Sequence, residues 1–145
     1  LEENRNKILE NINNGRAYTK FLELVQIQGG DISYIENPEK FQKARYIIPV
    51  YSEEEGYVEE LNAEKVGVTS VHLGAGRVKK EDGIDHSVGM WIEKKVGDRV
   101  NKGDILAYIH ANDTEKGNTA VKDLKQAYKI IKNPIQMENY ILDII

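Results

Sequence analysis

The chain has 145 residues, with 20 Lys and Arg against 24 Asp and Glu for a net charge of −4; at 40% hydrophobic and 30% charged it has the ordinary balance of one globular domain able to bury its own core. It has no Cys, which removes disulfides and thiolate chemistry and leads us to expect a reducing, cytoplasmic setting; no apolar run approaches the ~18 residues of a membrane span, and no basic-then-apolar opening suggests secretion. Basic residues alternate with acidic ones, Lys79-Lys80 running straight into Glu81-Asp82, so the basic stripe that nucleic-acid binding needs is missing.

Ile8, Leu9 and Ile12 recur at helical spacing until Asn13-Asn14-Gly15 stops them. Ala17, Phe21, Leu24, Val25 and Gln28 continue as a second amphipathic stretch ended by Gly29-Gly30, so residues 3–29 are predicted as two helices. Residues 31–44 read as connecting loop with one helical turn at Asn37-Pro38. Tyr46 to Tyr51 are β-formers, but Pro49 has no amide donor, which places this strand at a sheet edge or at a strand end. An acidic turn from Ser52 leads into a short strand, Gly56 to Leu61. Asn62 is a good N-cap for a helix from Ala63, although Val66, Val68, Thr69 and Val71 are stiff at χ1 and weaken it; Gly74 or Gly76 is expected as its left-handed cap.

Val88 to Lys95 and Ile105 to His110 are predicted strands. Between them, Gly97-Asp98 and Gly103-Asp104 each set a glycine where turns need positive φ, beside a carboxylate able to bond its own backbone. Bracketing Arg99–Lys102, they predict a tight, corner-turning hairpin. Asn118 to Tyr128 reads as a last helix with Val121, Leu124 and Tyr128 on one face. Asn133-Pro134 breaks it, and Tyr140 to Ile145 closes as a strand. The class is α+β.

Gly74-Ala75-Gly76-Arg77 invites reading as a phosphate cradle, but it follows a helix, whereas anion sites use helix N-termini. A cap and chain reversal is the better reading, with Arg77 expected to pair with Asp82 or Asp85. His72, His86 and His110 have no metal-ligand spacing and no Cys to join them, so no metal site is expected. Glu53-Glu54-Glu55, Glu59-Glu60 and Glu81-Asp82 are expected to be solvated. Ser52, Ser70 and Ser87 lack a nucleophile-elbow context. Met90 and Met137 flank no lysine of the kind a swinging-arm carrier modifies.

Two longer stretches carry more information. One is Leu73-Gly74-Ala75-Gly76-Arg77-Val78-Lys79-Lys80-Glu81-Asp82-Gly83-Ile84-Asp85. The other runs from Val96-Gly97-Asp98-Arg99-Val100 through Gly103-Asp104-Ile105-Leu106 to His110-Ala111-Asn112. In this order they resemble the C-terminal domain of the pyrimidine-nucleoside phosphorylase and thymidine phosphorylase family. Ala17, Phe21 and Gln28-Gly29-Gly30-Asp31 are similar to the segment that ends that family's preceding α/β domain. The resemblance covers roughly residues 14–132 and is weak after Pro134.

The resemblance implies an α/β-hammerhead-like domain with a small barrel-sandwich over residues 31–145, preceded at 1–30 by the last helices of an upstream α/β domain. The second stretch shares its valine–glycine–aspartate pattern with lipoyl and biotinyl carrier domains, which points to the same barrel-sandwich. A stand-alone interaction module of that kind is the alternative reading. For the parent the resemblance implies a cytoplasmic pentosyltransferase of nucleoside salvage, working without a cofactor. It would phosphorolyse a pyrimidine nucleoside as a homodimer whose all-α domain holds the base and whose α/β domain holds the phosphate. A relative acting on nucleoside monophosphates is also open.

The family's phosphate- and base-binding segments have no counterpart here, so no catalytic, phosphate-binding or metal-binding residue is assigned. Arg77, Lys79 and Lys80 are candidates for a cleft-facing loop. Gly74, Gly76, Gly97, Asp98, Gly103 and Asp104 are assigned to structural turns. An initial Leu1 in place of Met leads us to expect a piece of a longer chain. Without the family's binding segments it is expected to be inactive alone, and the apolar face of residues 8–25, which an upstream domain would cover, is expected to give weak self-association; charge and hydropathy point to no nucleic-acid or membrane partner.

Overall fold

A computed structural model describes residues 1–136, so Met137 and the predicted strand at Tyr140 to Ile145 lie outside the described residues. The chain divides into two units, Leu1–Gln42 and a larger one from Lys43 onward.

In the first unit α1 (Glu2–Asn13) and α2 (Arg16–Ile27) are separated by a reversal at Gly15, whose φ of 80° suits glycine. Glu2 and Glu3 sit in the first turn of α1, where the helix dipole favours negative charge. Gly29 (φ 79°) turns the chain out of α2, and the Gly30 amide donates back to the Val25 carbonyl at 2.8 Å. The short α3 (Ser33–Glu36) and a 3₁₀ turn at Pro38–Lys40 follow, steadied by edge-on packing of Tyr34 on Phe41, ring centres 5.2 Å apart. No residue of α1 or α2 is fully buried.

The second unit holds two three-stranded antiparallel sheets. One has the order β1 (Tyr46–Tyr51), β5 (Ile105–Ala111), β3 (Gly89–Ile92); the other β4 (Arg99–Val100), β2 (Gly56–Leu61), β6 (Tyr128–Ile131). β1 is an edge strand, as Pro49 requires, and Pro49 lies opposite Tyr108. The predicted strand Val88 to Lys95 is shorter, because the Glu93 and Lys94 amides both donate to the Leu106 carbonyl at 3.0 Å and the ladder ends there.

Arg99–Lys102 is not the tip of a hairpin. β4 pairs with β2 and β5 pairs with β1 and β3, so these residues carry the chain from one sheet to the other. Gly97 (φ 95°) and Gly103 (φ 93°) turn this corner. Asp98 Oδ2 accepts from the Lys95 amide and Asp104 Oδ2 from the Asn101 amide, each at 2.8 Å.

Asn62 caps α4 (Ala63–Ser70), its side chain accepting the Lys65 amide at 2.9 Å. The helix then loosens into a π-helical turn over Val71–Ala75, where its β-branched residues fit less well. Gly74 takes the positive φ, 118°, and Gly76 is extended at −144°. Gly76 still needs its missing side chain, since a Cβ there would lie 2.7 Å from Val71 Cγ2.

The last helix, α5, spans Thr114–Ala127, starting a turn before the expected Asn118 because Asp113 caps it through the Lys116 amide at 2.8 Å. It ends at Ala127, one residue before the expected Tyr128, and Tyr128–Ile131 then form a strand that was not expected ahead of Asn133-Pro134. Tyr128, Ile130 and Ile131 are strand formers, and β2 offers them a ladder. Gly117, Ala120, Leu124 and Ala127 form the inner face of α5 and pack on Val50, Ala107, Ile109 and Ala111. A second cluster, Val58, Val100 and Leu106, fills the space under the other sheet.

Tyr128 packs against both clusters, and its hydroxyl reaches the Lys94 and Leu106 carbonyls at 2.9 and 3.0 Å. Burial pushes its pKa from 10.0 up to about 12, with the Asp98 charge adding to the effect. A raised folded value means that the stabilisation is complete below the unfolded pKa and disappears as pH climbs through the folded one. Stability should therefore fall between pH 10 and 12, by less than the full linkage slope of about 1.4 kcal/mol per unit, because the part-exposed ring leaves its charge partly screened by solvent. Tyr128→Phe should lower stability at pH 7 by ~1 kcal/mol through its lost hydrogen bonds. Denaturant titrations at stepped pH should then show a shallower alkaline slope than the parent; identical slopes would show that Tyr128 does not set it.

Candidate functional site

The loop that leaves the π-helical turn is the most distinctive surface feature. Gly74 reverses the chain, and the Asp85 amide donates to the Gly74 carbonyl at 3.0 Å, closing the neck of the loop. At the tip Asp82 accepts the Val78 and Lys79 amides through Oδ2 at 3.1 and 2.8 Å, and its own amide donates to the Lys79 carbonyl. Arg77, Lys79 and Lys80 are exposed on this loop. Three cations on a turn can hold an anion by charge, but they supply no nucleophile and no general base.

Arg77 pairs with neither of its expected partners among the described residues. Asp82 is taken up by backbone amides. Asp85 Oδ1 accepts the Ser87 amide at 3.0 Å and the Ser87 hydroxyl at 2.6 Å, and Oδ2 accepts Asn112 Nδ2 at 2.7 Å. These donors, the Ser87 hydroxyl foremost, hold the Asp85 carboxyl below its usual range. Asn112 Nδ2 also donates to Ser87 Oγ at 2.8 Å, and its Oδ1 accepts the Arg45 amide at 2.9 Å. Sequence reading considered Ser87 only as a nucleophile and gave Asn112 no role. The Asp-x-Ser spacing was a local signal for part of this cluster; the approach of Asn112 had none.

The Ser52 hydroxyl is buried and donates to the Glu54 carbonyl at 2.7 Å. Glu53 meets Lys125 and Glu59 meets Lys129, each at 2.5 Å, and the Lys125 contact holds Glu53 below its usual pKa. His72 lines a groove of about 400 Å³ between α4 and α5 with Thr69, Asp123 and Gln126. His86 is exposed and His110 half-buried on β5. Among the described residues no three His, Asp or Glu side chains gather in a way that would hold a metal ion. No helix among them is long and apolar enough to cross a membrane.

Comparison with known proteins converges on one family. The family model described as "Pyrimidine nucleoside phosphorylase C-terminal domain" matches residues 57–131. The chain is 46% identical over 112 residues to the pyrimidine-nucleoside phosphorylase of Staphylococcus aureus (strain USA300), which covers 77% of this chain and 26% of that protein. The pyrimidine-nucleoside phosphorylase of Bacillus subtilis (strain 168) matches to the same extent, 46% over 112 residues. The chain thus spans about a quarter of the length of these curated relatives. With the matched segment running from β2 through the cationic loop and the two-sheet core to β6, the chain belongs to the pyrimidine nucleoside phosphorylase C-terminal domain family.

Proposed function

We propose that this chain is the C-terminal scaffold region of a cytoplasmic pyrimidine-nucleoside phosphorylase. The 46% identity across 77% of its residues supports this reading. In the parent reaction a phosphate oxygen attacks the anomeric carbon of a pyrimidine nucleoside. The C–N glycosidic bond breaks, and the base leaves with the bonding electrons, giving (deoxy)ribose 1-phosphate. Residues 1–30 are read as the end of the upstream α/β domain, and the two small sheets as the hammerhead and barrel-sandwich part. The region would buttress the cleft and present Arg77, Lys79 and Lys80 toward it. A catalytic site that aligns its reactants and excludes water depends on such rigid support.

The chain by itself should release no uracil from uridine and phosphate, whereas the full-length polypeptide that contains it should. Chromatographic detection of uracil at a rate proportional to the isolated, purified chain would sink the scaffold reading. A full-length polypeptide without phosphorolytic activity would sink the assignment of the parent.

The helical unit carries an exposed apolar surface. Ile8 is 60%, Ile12 58%, Phe21 45% and Leu24 55% exposed. Apolar area of this kind favours association over hydration. The isolated chain is expected to self-associate weakly, with a concentration-dependent sedimentation coefficient that Phe21→Glu lowers toward the monomer value. A strict monomer at millimolar concentration would contradict this. The parent homodimer would rest on its all-α domain, so this contact would be a property of the isolated piece.

A further inference from the structure

We infer that Asn112 is a positioning residue for the proposed phosphorolysis: with Asp85 and Ser87 it forms a clasp that fixes the cationic loop at residues 76–84 on the body of the domain. The inference rests on the parent reaction proposed above and adds Asn112, a residue to which no role in it is otherwise assigned.

The loop has little else to hold it. Its tip is a self-contained turn around Asp82, whose hydrogen bonds stay within residues 78–82. Val78 is 68% exposed, and a side chain added at Gly83 would meet nothing within 4 Å. Backbone bonding at the neck amounts to the Asp85 amide on the Gly74 carbonyl, a contact between the two ends of the loop itself. Among the described residues, the side-chain hydrogen bonds from this segment to the rest of the unit run from Asp85 and Ser87 to Asn112.

Asn112 suits this role by its place and its chemistry. It follows directly on β5, the central strand of its sheet, and its Oδ1 also receives the Arg45 amide from the residue before β1. One side-chain amide therefore ties the edge strand, the central strand and the base of the loop. The bond to Asp85 is charge-assisted and short, so it is stronger and more directional than a neutral pair. Arg77, Lys79 and Lys80 can serve a reaction only from a fixed position, because misplacing a charged group by about 1 Å can cost ~100-fold in rate.

Reversing the polarity of the clasp tests this. Asn112→Asp keeps the acceptor for Arg45 but sets a carboxylate against Asp85, and adding Asp85→Asn restores one donor and one acceptor. In the isolated chain, well below its unfolding midpoint so that global unfolding does not contribute, trypsin cleavage after Arg77, Lys79 and Lys80 should be about tenfold faster in N112D, the loss expected for a charge-assisted bond. The double variant should return to the parent rate. Equal cleavage rates in parent and N112D would overturn the clasp. Should N112D not fold, Ser87→Ala removes a single limb and is read the same way.

In the full-length polypeptide, N112D should raise KM for phosphate or lower kcat in uridine phosphorolysis, and the double variant should recover it. Parent-like kinetics in N112D with a freely cleaved loop would overturn the positioning role. A full-length polypeptide with no phosphorolysis would overturn the parent assignment and the positioning role with it, while the trypsin result would still decide the clasp.

Discussion

Gly56→Ala is expected to destabilise the second unit by about 3 kcal/mol or more, the scale of a forced backbone conformation combined with a hard contact. Gly56 opens β2 at a φ of 154°, a conformation that L side chains rarely adopt. A Cβ there would stand 2.2 Å from the Ile131 carbonyl oxygen and 2.8 Å from its carbon. Both are backbone atoms of β6, so no rotamer change relieves the clash. Either β6 moves out, breaking its pairing with β2, or Gly56 changes φ and gives up its place opposite Val100. β2 is the central strand of its sheet, so either response loosens the Val58, Val100 and Leu106 cluster. Guanidinium titration followed by the fluorescence of Trp91, which lies in the other sheet, would report whether the loss is global. An unchanged midpoint would mean that β6 yields without cost.

Leu124→Ala should cost a similar amount, ~3 kcal/mol within the usual 2–5 for such truncations. Leu124 is fully buried on the inner face of α5, in the cluster with Val50, Leu73, Ala107 and Ile109. Its near neighbours on the helix are Ala120 and Ala127, which have no length to swing into the space left. The sheet side is held by the β1–β5–β3 ladders. The site is therefore poorly able to collapse, and the cavity persists. Val121→Ala, one face over and half-buried, is the control and should lose under half as much in the same denaturant titration. Equal losses at the two positions would show that the α5 interface is not packed as described.

Several elements of the fold were legible because their signals are short-range. Asn62 caps a helix three residues on, and Asp98 and Asp104 accept amides three residues back. Pro49 excludes a central strand wherever it falls. These bonds close within one turn, so residue type and spacing suffice to foresee them. The start of α5 at Thr114 was missed although its cap, Asp113, is equally local, and the first turns it adds contain Gly117. In the fold, that glycine lets α5 approach β1: a Cβ would lie 2.6 Å from Ile48 Cδ1.

By itself, the sequence determined the α+β class, the positions of most helices and strands, the turns at Gly97 and Gly103 and, through the order of its motifs, the family. Tertiary structure decided the division of the strands between two sheets, the release of Tyr128 from α5 into β6, and the capture of Asp85 by Asn112 in place of Arg77. Each of these depends on a partner far along the chain: Tyr128 on the Lys94 carbonyl, Asp85 on Asn112, β4 on β2. A helix end or a carboxylate has several nearby groups able to satisfy it, at nearly equal free energy. Packing of the whole unit chooses among them, because only one arrangement buries the apolar faces and leaves the polar groups paired.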